Sequence, residues 1–302
     1  MKLIDELRRE LGSGKIYENE AMSGHTTFEV GGPADVLVKP VSEEEIRSLI
    51  GICRRRQIPY FILGKGSNIL VSDKGYRGMV ISLTEYRERL EIEGELLRCS
   101  SGYHLSEVSS AAAEASLSGM EFACGIPGSV GGAVYMNAGA YGSEIKNVLR
   151  RVKILEAEGR ILWVDADHLA LDYRSSNIAE LNRIVLEAEF LLERGEKEKI
   201  YVLMEDLQSR RSSKQPLEYP SSGSTFKRPK GYFAGQLIDE AGLRGYRIGN
   251  AMVSSKHCGF VINTGGASAA EIYALINEVK RIVKEKRGVD LVPEVKMLGD
   301  FS

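Results

Sequence analysis

The 302-residue chain carries 40 Lys and Arg against 42 Asp and Glu, and it is 43% apolar and 27% charged. That composition describes a globular protein with chain enough for two or three domains and a cleft, and its net charge of -2 argues against nucleic acid or an anionic membrane as a main partner. Cys53, Cys99, Cys124 and Cys258 are scattered with no C-x-x-C, and His25, His104, His168 and His257 lack ligand spacing, so inert thiols in a reducing cytoplasm are expected, with no disulfide framework and no metal site.

In chain order, MKLIDELRRELG places Leu3, Ile4, Leu7 and Leu11 on one helical face and is not a signal peptide; no run is long enough to span a bilayer. Gly31, Gly32 and Pro33 turn the chain into a strand ending at Pro40. Ser42 with Glu45 forms a capping box before a helix with Ile46, Leu49, Ile50 and Cys53 on its core face. Pro59 to Leu63 reads as a buried strand, followed by the loop Gly64-Lys65-Gly66-Ser67-Asn68. Gly78 to Leu83 is a strand, a hairpin turns at Glu93-Gly94, and a helix of small residues spans Ser106 to Ser116.

Further on, Val148 to Leu155 and Ile161 to Val164 form a hairpin turning at Glu158-Gly159, and LDYRSSN (Leu171 to Asn177) is a polar loop. Ile184 to Leu192 alternates enough to be a strand with one wet face. A charged stretch, Glu193 to Lys199, marks a domain boundary and leads into a helix ending near Arg210-Arg211. Beyond it lie PLEYPSSGSTFKRP, a loop; GQLIDEAGLRGYRIG, a short helix and turn; SSKHCGFVIN, a strand; a helix opened by Ser268 and Glu271; and a closing strand VDLVPEVKMLG.

Two glycine-rich stretches suit a backbone laid against a flat or anionic ligand. GIPGSVGGAVYMNAGAYG, from Gly125 to Gly142, is read as a cofactor cradle, with close packing of a loop as the alternative. Gly64 to Asn68 lacks P-loop spacing and has Ile69 where a dinucleotide fingerprint needs glycine, yet its consecutive N–H groups can form an anion nest; a plain strand-to-strand turn is the alternative. Arg174, Ser224 and Glu294 stand out as polar residues in loop-like surroundings, each also explicable as a solvated, turn or ion-paired side chain. Glu294, after Pro293 in a strand-like segment, is the most suggestive, because a buried carboxylate must be paired or protonated. Arg210, Arg211, Lys214, Lys227, Arg228 and Lys230 bracket Ser224 with positive charge, as a phosphate-bearing ligand or a solvated face would have it.

HTTFEVGGPADVLV, LGKGSNILV, GIPGSVGGAVYMNAGAYG, YRSS, GSTFKRP and PEV, in this order from His25 to Gly299, resemble the UDP-N-acetylenolpyruvoylglucosamine reductase family, in its shorter type without an extra tyrosine loop. The resemblance implies an α+β fold: a two-lobed FAD-binding module of the vanillyl-alcohol-oxidase type plus a C-terminal substrate-binding domain. The windows would be an N-terminal helix in 1–20, lobes in 21–82 and 83–193, and the substrate domain in 200–302.

The resemblance also implies a cytoplasmic, monomeric flavoenzyme that binds neither nucleic acid nor membrane and makes UDP-N-acetylmuramate for peptidoglycan, hence for cell shape and division. FAD would be held non-covalently by Thr27, Gly31, Gly64, Lys65, Gly66, Ser67, Asn68 and Ile69 and by Gly125, Pro127, Gly128, Ser129, Gly132, Asn137, Gly139 and Ala140. NADPH would be the hydride donor, the hydride passing from flavin N5 to C3 of the enolpyruvyl group. Ser224 would protonate C2, with Arg174 and Glu294 stabilising the anionic intermediate, while Lys214, Arg228 and Gln236 would hold the sugar nucleotide. Competing readings are an oxidase of the same architecture with FAD tethered at His104 or Cys124, and a non-catalytic nucleotide-binding module; neither explains GSTFKRP together with PEV. Cys124 and Thr225 depart from the family pattern and receive no function.

Overall fold

The computed structural model describes residues 3–11 and 15–302. Its first elements are α1 (Leu3–Leu11), β1 (Ile16–Ala21), β2 (Pro33–Val38), α2 (Glu43–Arg56), β3 (Tyr60–Leu63), β4 (Ile69–Val71) and β5 (Tyr76–Ser82). Then come β6 (Leu90–Glu93), β7 (Leu96–Ser100), α3 (Leu105–Glu114), β8 (Leu117–Ser118), α4 (Val130–Met136), β9 (Gly139–Ala140), β10 (Ser143–Glu144), β11 (Leu149–Leu155) and β12 (Ile161–Asp165). The chain closes with β13 (Ile184–Leu191), β14 (Glu193–Arg194), α5 (Lys197–Lys214), α6 (Ala234–Glu240), β15 (Arg247–Ile248), β16 (Ala251–Val253), β17 (Val261–Asn263), α7 (Ala269–Arg287) and β18 (Lys296–Leu298). Among the described residues no helix is long and apolar enough to cross a membrane.

Two compact units share the chain: Met1–Glu18, Val36–Lys65 and Gly78–Arg210 form the first, and Asn19–Asp35, Gly66–Arg77 and Arg211–Ser302 the second. The break between them in the C-terminal half falls at Arg210/Arg211, inside α5.

In the first unit, β3 pairs parallel with β5 in a sheet ordered β1-β2-β5-β3. The pattern of β1, IYENEA, gave no strand signal. Helix α2 begins as expected: Ser42 Oγ accepts the Glu45 N–H at 3.2 Å, while the Glu45 carboxylate takes the Val41 N–H and the Lys15 ammonium, so only half of the expected box forms. A five-stranded antiparallel sheet, ordered β12-β11-β13-β7-β6, packs its apolar side on α3 and α4 through Val152, Ile154, Ala188, Phe190, Leu105, Val108 and Val134.

Central strand β13 is buried along both faces, which corrects the expectation of a wet one. Glu187 and Glu189 are 6% and 3% exposed because cationic side chains from the flanking strands cover them. Glu189 meets Arg151 at 2.8 Å and Arg98 at 3.3 Å, and Glu187 meets Lys153 at 3.3 Å. Carboxylates at alternate positions read as solvated in the sequence; two neighbouring strands supply the charges that let them be buried.

The second unit is assembled from chain segments far apart in sequence. Strand β4 pairs parallel with β18, Ile69 opposite Lys296 through Val71 opposite Leu298. Phe28, Val30 and Leu70 join Ile238, Val253, Val261, Ile272 and Ile276 of the C-terminal hundred residues in one core. So 19–35 and 66–77, which the sequence windows gave mainly to the first FAD-binding lobe, pack with 211–302. Helix α7 carries the complete capping box expected at Ser268 and Glu271, and Asp73 accepts the N–H groups of Ala269 and Ala270, each at 2.8 Å. Of the closing segment, only Lys296–Leu298 is a strand.

Candidate functional site

Within the second unit, the loop after β3 turns sharply at Gly66, whose φ of +68° is left-handed and where a Cβ would lie 2.0 Å from the His25 carbonyl oxygen. Gly66 O accepts the Thr27 N–H at 3.1 Å, so Thr27 and this loop form one unit of backbone. Among the described residues, the N–H groups of Gly66, Ser67 and Asn68 donate to no protein acceptor, and the buried Thr27 Oγ1 has no hydrogen-bond partner. Unmatched donors around a tight glycine turn suit an anionic oxygen ligand, and a pyrophosphate fits that donor set.

The same loop is tied to two candidate catalytic residues. Asn68 Nδ2 donates to the Glu294 carbonyl at 3.3 Å, and Asn68 O accepts the Lys296 N–H at 3.0 Å. Glu294 N donates in turn to Thr225 O at 2.8 Å, and Lys227 N donates to Val292 O at 2.8 Å, so the segment after Ser224 lies along the segment that carries Glu294. Ser224 is exposed and Glu294 half-buried, while Thr225 between them is fully buried. Ser224, Glu294 and Asn68 are thus brought together in one unit.

The basic residues expected around a phosphate behave differently from one another. Lys214 ends α5 with an exposed side chain, and the Arg228 guanidinium stacks 3.9 Å above the ring of the exposed Phe233. Gln236 Nε2 is engaged by Glu240 at 2.7 Å. The Arg228–Phe233 stack had no signal in the sequence beyond the local run of aromatics.

The first unit holds the cradle and the third candidate catalytic residue. Glycines bring backbones together here: a Cβ at Gly64 would meet Ser129 Oγ at 2.3 Å, and one at Gly131 would meet Ser101 Cβ at 2.9 Å. Most N–H groups from Gly128 to Gly132 are committed to the protein, Val130 to Tyr103 O and Gly131 to Ser101 O, each at 2.9 Å. Few backbone donors of this stretch are therefore left for a ligand. Buried Ser101 Oγ, beside Gly131, has no partner among the described residues.

Asn137 is fully buried, with its side chain committed on both ends. Its Nδ2 donates to Glu144 at 3.0 Å and to Asp172 O at 3.1 Å, and its Oδ1 accepts the Lys146 N–H at 2.9 Å. Asn137 therefore acts on the cradle and the 172–175 turn as a clamp. That turn closes through reciprocal Asp172–Ser175 backbone bonds of 3.1 Å and carries Arg174 at φ +53°. Arg174 Nη2 donates to Gly139 O at 2.8 Å, which holds the guanidinium against the end of the cradle.

Cys124 lies in an apolar cluster with Ala113, Ile200, Met204 and Leu207, its Sγ 3.7 Å from Met204 O. Sequence reasoning missed Thr225 and Asn137 as organisers, since neither a buried Thr in a loop nor an Asn after a short helix has a local signature of such a role.

A model of the UDP-N-acetylenolpyruvoylglucosamine reductase C-terminal domain matches residues 215–298, and a model of an FAD binding domain matches residues 34–165. A UDP-N-acetylenolpyruvoylglucosamine reductase of Caldanaerobacter subterraneus subsp. tengcongensis is 50% identical over 298 residues, 99% of this chain and 98% of that one. The crystal structure of UDP-N-acetylenolpyruvylglucosamine reductase from Thermus caldophilus matches with a TM-score of 0.80 and 34% identity, covering 93% of this chain and 98% of that one. Phl p 4.0202, a glucose dehydrogenase, shares the fold alone, with a TM-score of 0.51 and 18% identity over 64% of this chain and 44% of that one.

Proposed function

The chain belongs to the UDP-N-acetylenolpyruvoylglucosamine reductase family, and from that we propose that it reduces the enolpyruvyl ether of UDP-N-acetylglucosamine to UDP-N-acetylmuramate during peptidoglycan precursor synthesis, with NADPH as the electron source. FAD, when bound, supplies the carrier that accepts hydride from NADPH and releases it to C3 of the enolpyruvyl group. Thr27 and Gly66 to Asn68 offer donors for its pyrophosphate, and Gly125 to Ala140 offer a surface free of large charged side chains.

The observation that carries the reading is the convergence of Ser224, Glu294 and Asn68 in one unit, through the bonds of Glu294 to Thr225 and to Asn68. Hydride addition at C3 leaves negative charge on C2 and the adjoining carboxylate. Arg174, fixed by its turn and by Gly139 O, can pair bidentately with that carboxylate, and a protonated Glu294 can donate to the same oxygens. Ser224 then gives its hydroxyl proton to C2. A serine hydroxyl is a poor acid in water, so the step works because the carbanionic centre is strongly basic and the proton is held in reach. Lys214 and Arg228 neutralise the diphosphate of the substrate, and Gln236 on α6 is a further polar contact for it.

The test is Ser224→Ala under nitrogen. NADPH is expected to bleach the flavin at the wild-type rate, and the enolpyruvyl sugar nucleotide is expected to restore the colour at least ~100-fold more slowly, the scale of a lost positioned acid. Normal turnover in this variant would sink the assignment.

A further inference from the structure

Thr225 is the residue through which the Ser224 loop is fastened. It is 0% exposed, and each of its polar groups has a partner. Its N–H donates to Gly259 O at 2.8 Å, its Oγ1 accepts the Val261 N–H at 2.9 Å, and its carbonyl accepts the Glu294 N–H at 2.8 Å. Bridges on either side extend the same pattern: Ser221 faces Ile262, and Phe226 faces Pro293. The segment from Ser221 to Lys227 therefore lies between the strand that contains Val261 and the segment that contains Glu294. The chain bends at Gly223, whose φ is +70°, and beyond that bend Thr225 and Phe226 are both buried while Ser224 is left exposed.

The hydroxyl of Thr225 adds a side-chain anchor to these backbone bonds, because it accepts the buried Val261 N–H. We propose that Thr225 is a positioning residue that sets Ser224 against Glu294, acting through its Oγ1 anchor on Val261 and its carbonyl on Glu294. The inference rests on the reading that Ser224 and Glu294 serve the reduction. Its chemistry is that of held geometry: a proton donor displaced by about 1 Å from its acceptor loses on the order of 100-fold in rate.

The experiment follows the two half-reactions of the FAD-loaded enzyme separately, in Thr225→Val, Thr225→Ser and Thr225→Cys beside Ser224→Ala. T225V keeps the shape and removes the acceptor. Its flavin reduction by NADPH should stay within about two-fold of wild type, and its dissociation constant for the enolpyruvyl sugar nucleotide, read from flavin absorbance, within about three-fold. Its re-oxidation by that substrate should fall roughly 100-fold. T225S should recover to within about three-fold of wild type, and T225C, a weak acceptor, should fall between Ser and Val. Should T225V lose its flavin on purification, the order of T225S above T225C carries the same test.

Equal loss of both half-reactions in T225V, or a wild-type re-oxidation rate in T225V and T225C while S224A is slow, overturns the positioning role. A wild-type re-oxidation rate in S224A itself overturns the underlying reading instead.

Discussion

Arg174 adopts a left-handed φ of +53°, a conformation that costs an ordinary L-residue about 1–2 kcal/mol and is tolerated where the surroundings dictate it. The reciprocal bonds of the 172–175 turn and the Asn137 clamp dictate it here. The sequence singled out Arg174 as a loop arginine; the clamp that aims it was hidden, because Asn137 is separated from the turn by four strands. The cysteines were more legible. Burial pushes the Cys53 and Cys258 thiols up to about 11, and burial with the nearby Glu187 raises that of Cys99 further. Essentially no thiolate then exists at neutral pH, and thiols in that state are poor nucleophiles. Ellman's reagent at pH 7.5 is expected to leave the folded protein unlabelled and to titrate four thiols in guanidinium; rapid labelling of the native protein would contradict this.

At the scale of elements, local signals did well where one element carries its own instructions. Ser42 and Ser268 start α2 and α7, and the turns at Glu93-Gly94 and Glu158-Gly159 close their hairpins. Strand β13 failed that way, since the partners of its carboxylates sit on β7 and β11. Burial tends to raise the Glu189 pKa, but Arg151, helped by Arg98 and Arg150, brings it below the ordinary value. A lowered folded-state pKa gives stability that is present above the unfolded value near 4.3 and is lost as the pH falls through the folded one. Glu189→Gln leaves three guanidinium groups short of their counter-charge and should cost roughly 3 kcal/mol at pH 7. The deficit should narrow at pH 3.5. Trp163, between Arg98 and Arg151 at 4.6 and 4.7 Å, is the single tryptophan and reports the unfolding by its fluorescence. An equal deficit at both pH values would refute the linkage.

For the molecule as a whole, the fold class was legible from the ordered blocks: an α+β chain with an FAD-binding module of the vanillyl-alcohol-oxidase type and a C-terminal α+β domain. The course of the chain between its two compact units was not. Strand β4 pairs with β18, and Asn68 bonds Glu294 226 residues away, and hydrophobic periodicity carries no record of such partners. We propose that FAD is held without a covalent tether, and Cys124 is buried in its apolar cluster. Acid precipitation of the purified yellow protein should release all flavin into the supernatant, and flavin that stays with the pellet would favour a tethered oxidase.

We propose that electrons from NADPH end on the enolpyruvyl carbon. An anaerobic titration at a spectrophotometer tests it directly. NADPH should bleach the flavin, and one equivalent of the enolpyruvyl sugar nucleotide should return the full absorbance with one equivalent of UDP-N-acetylmuramate formed. Colour that returns only when oxygen is admitted would contradict that route.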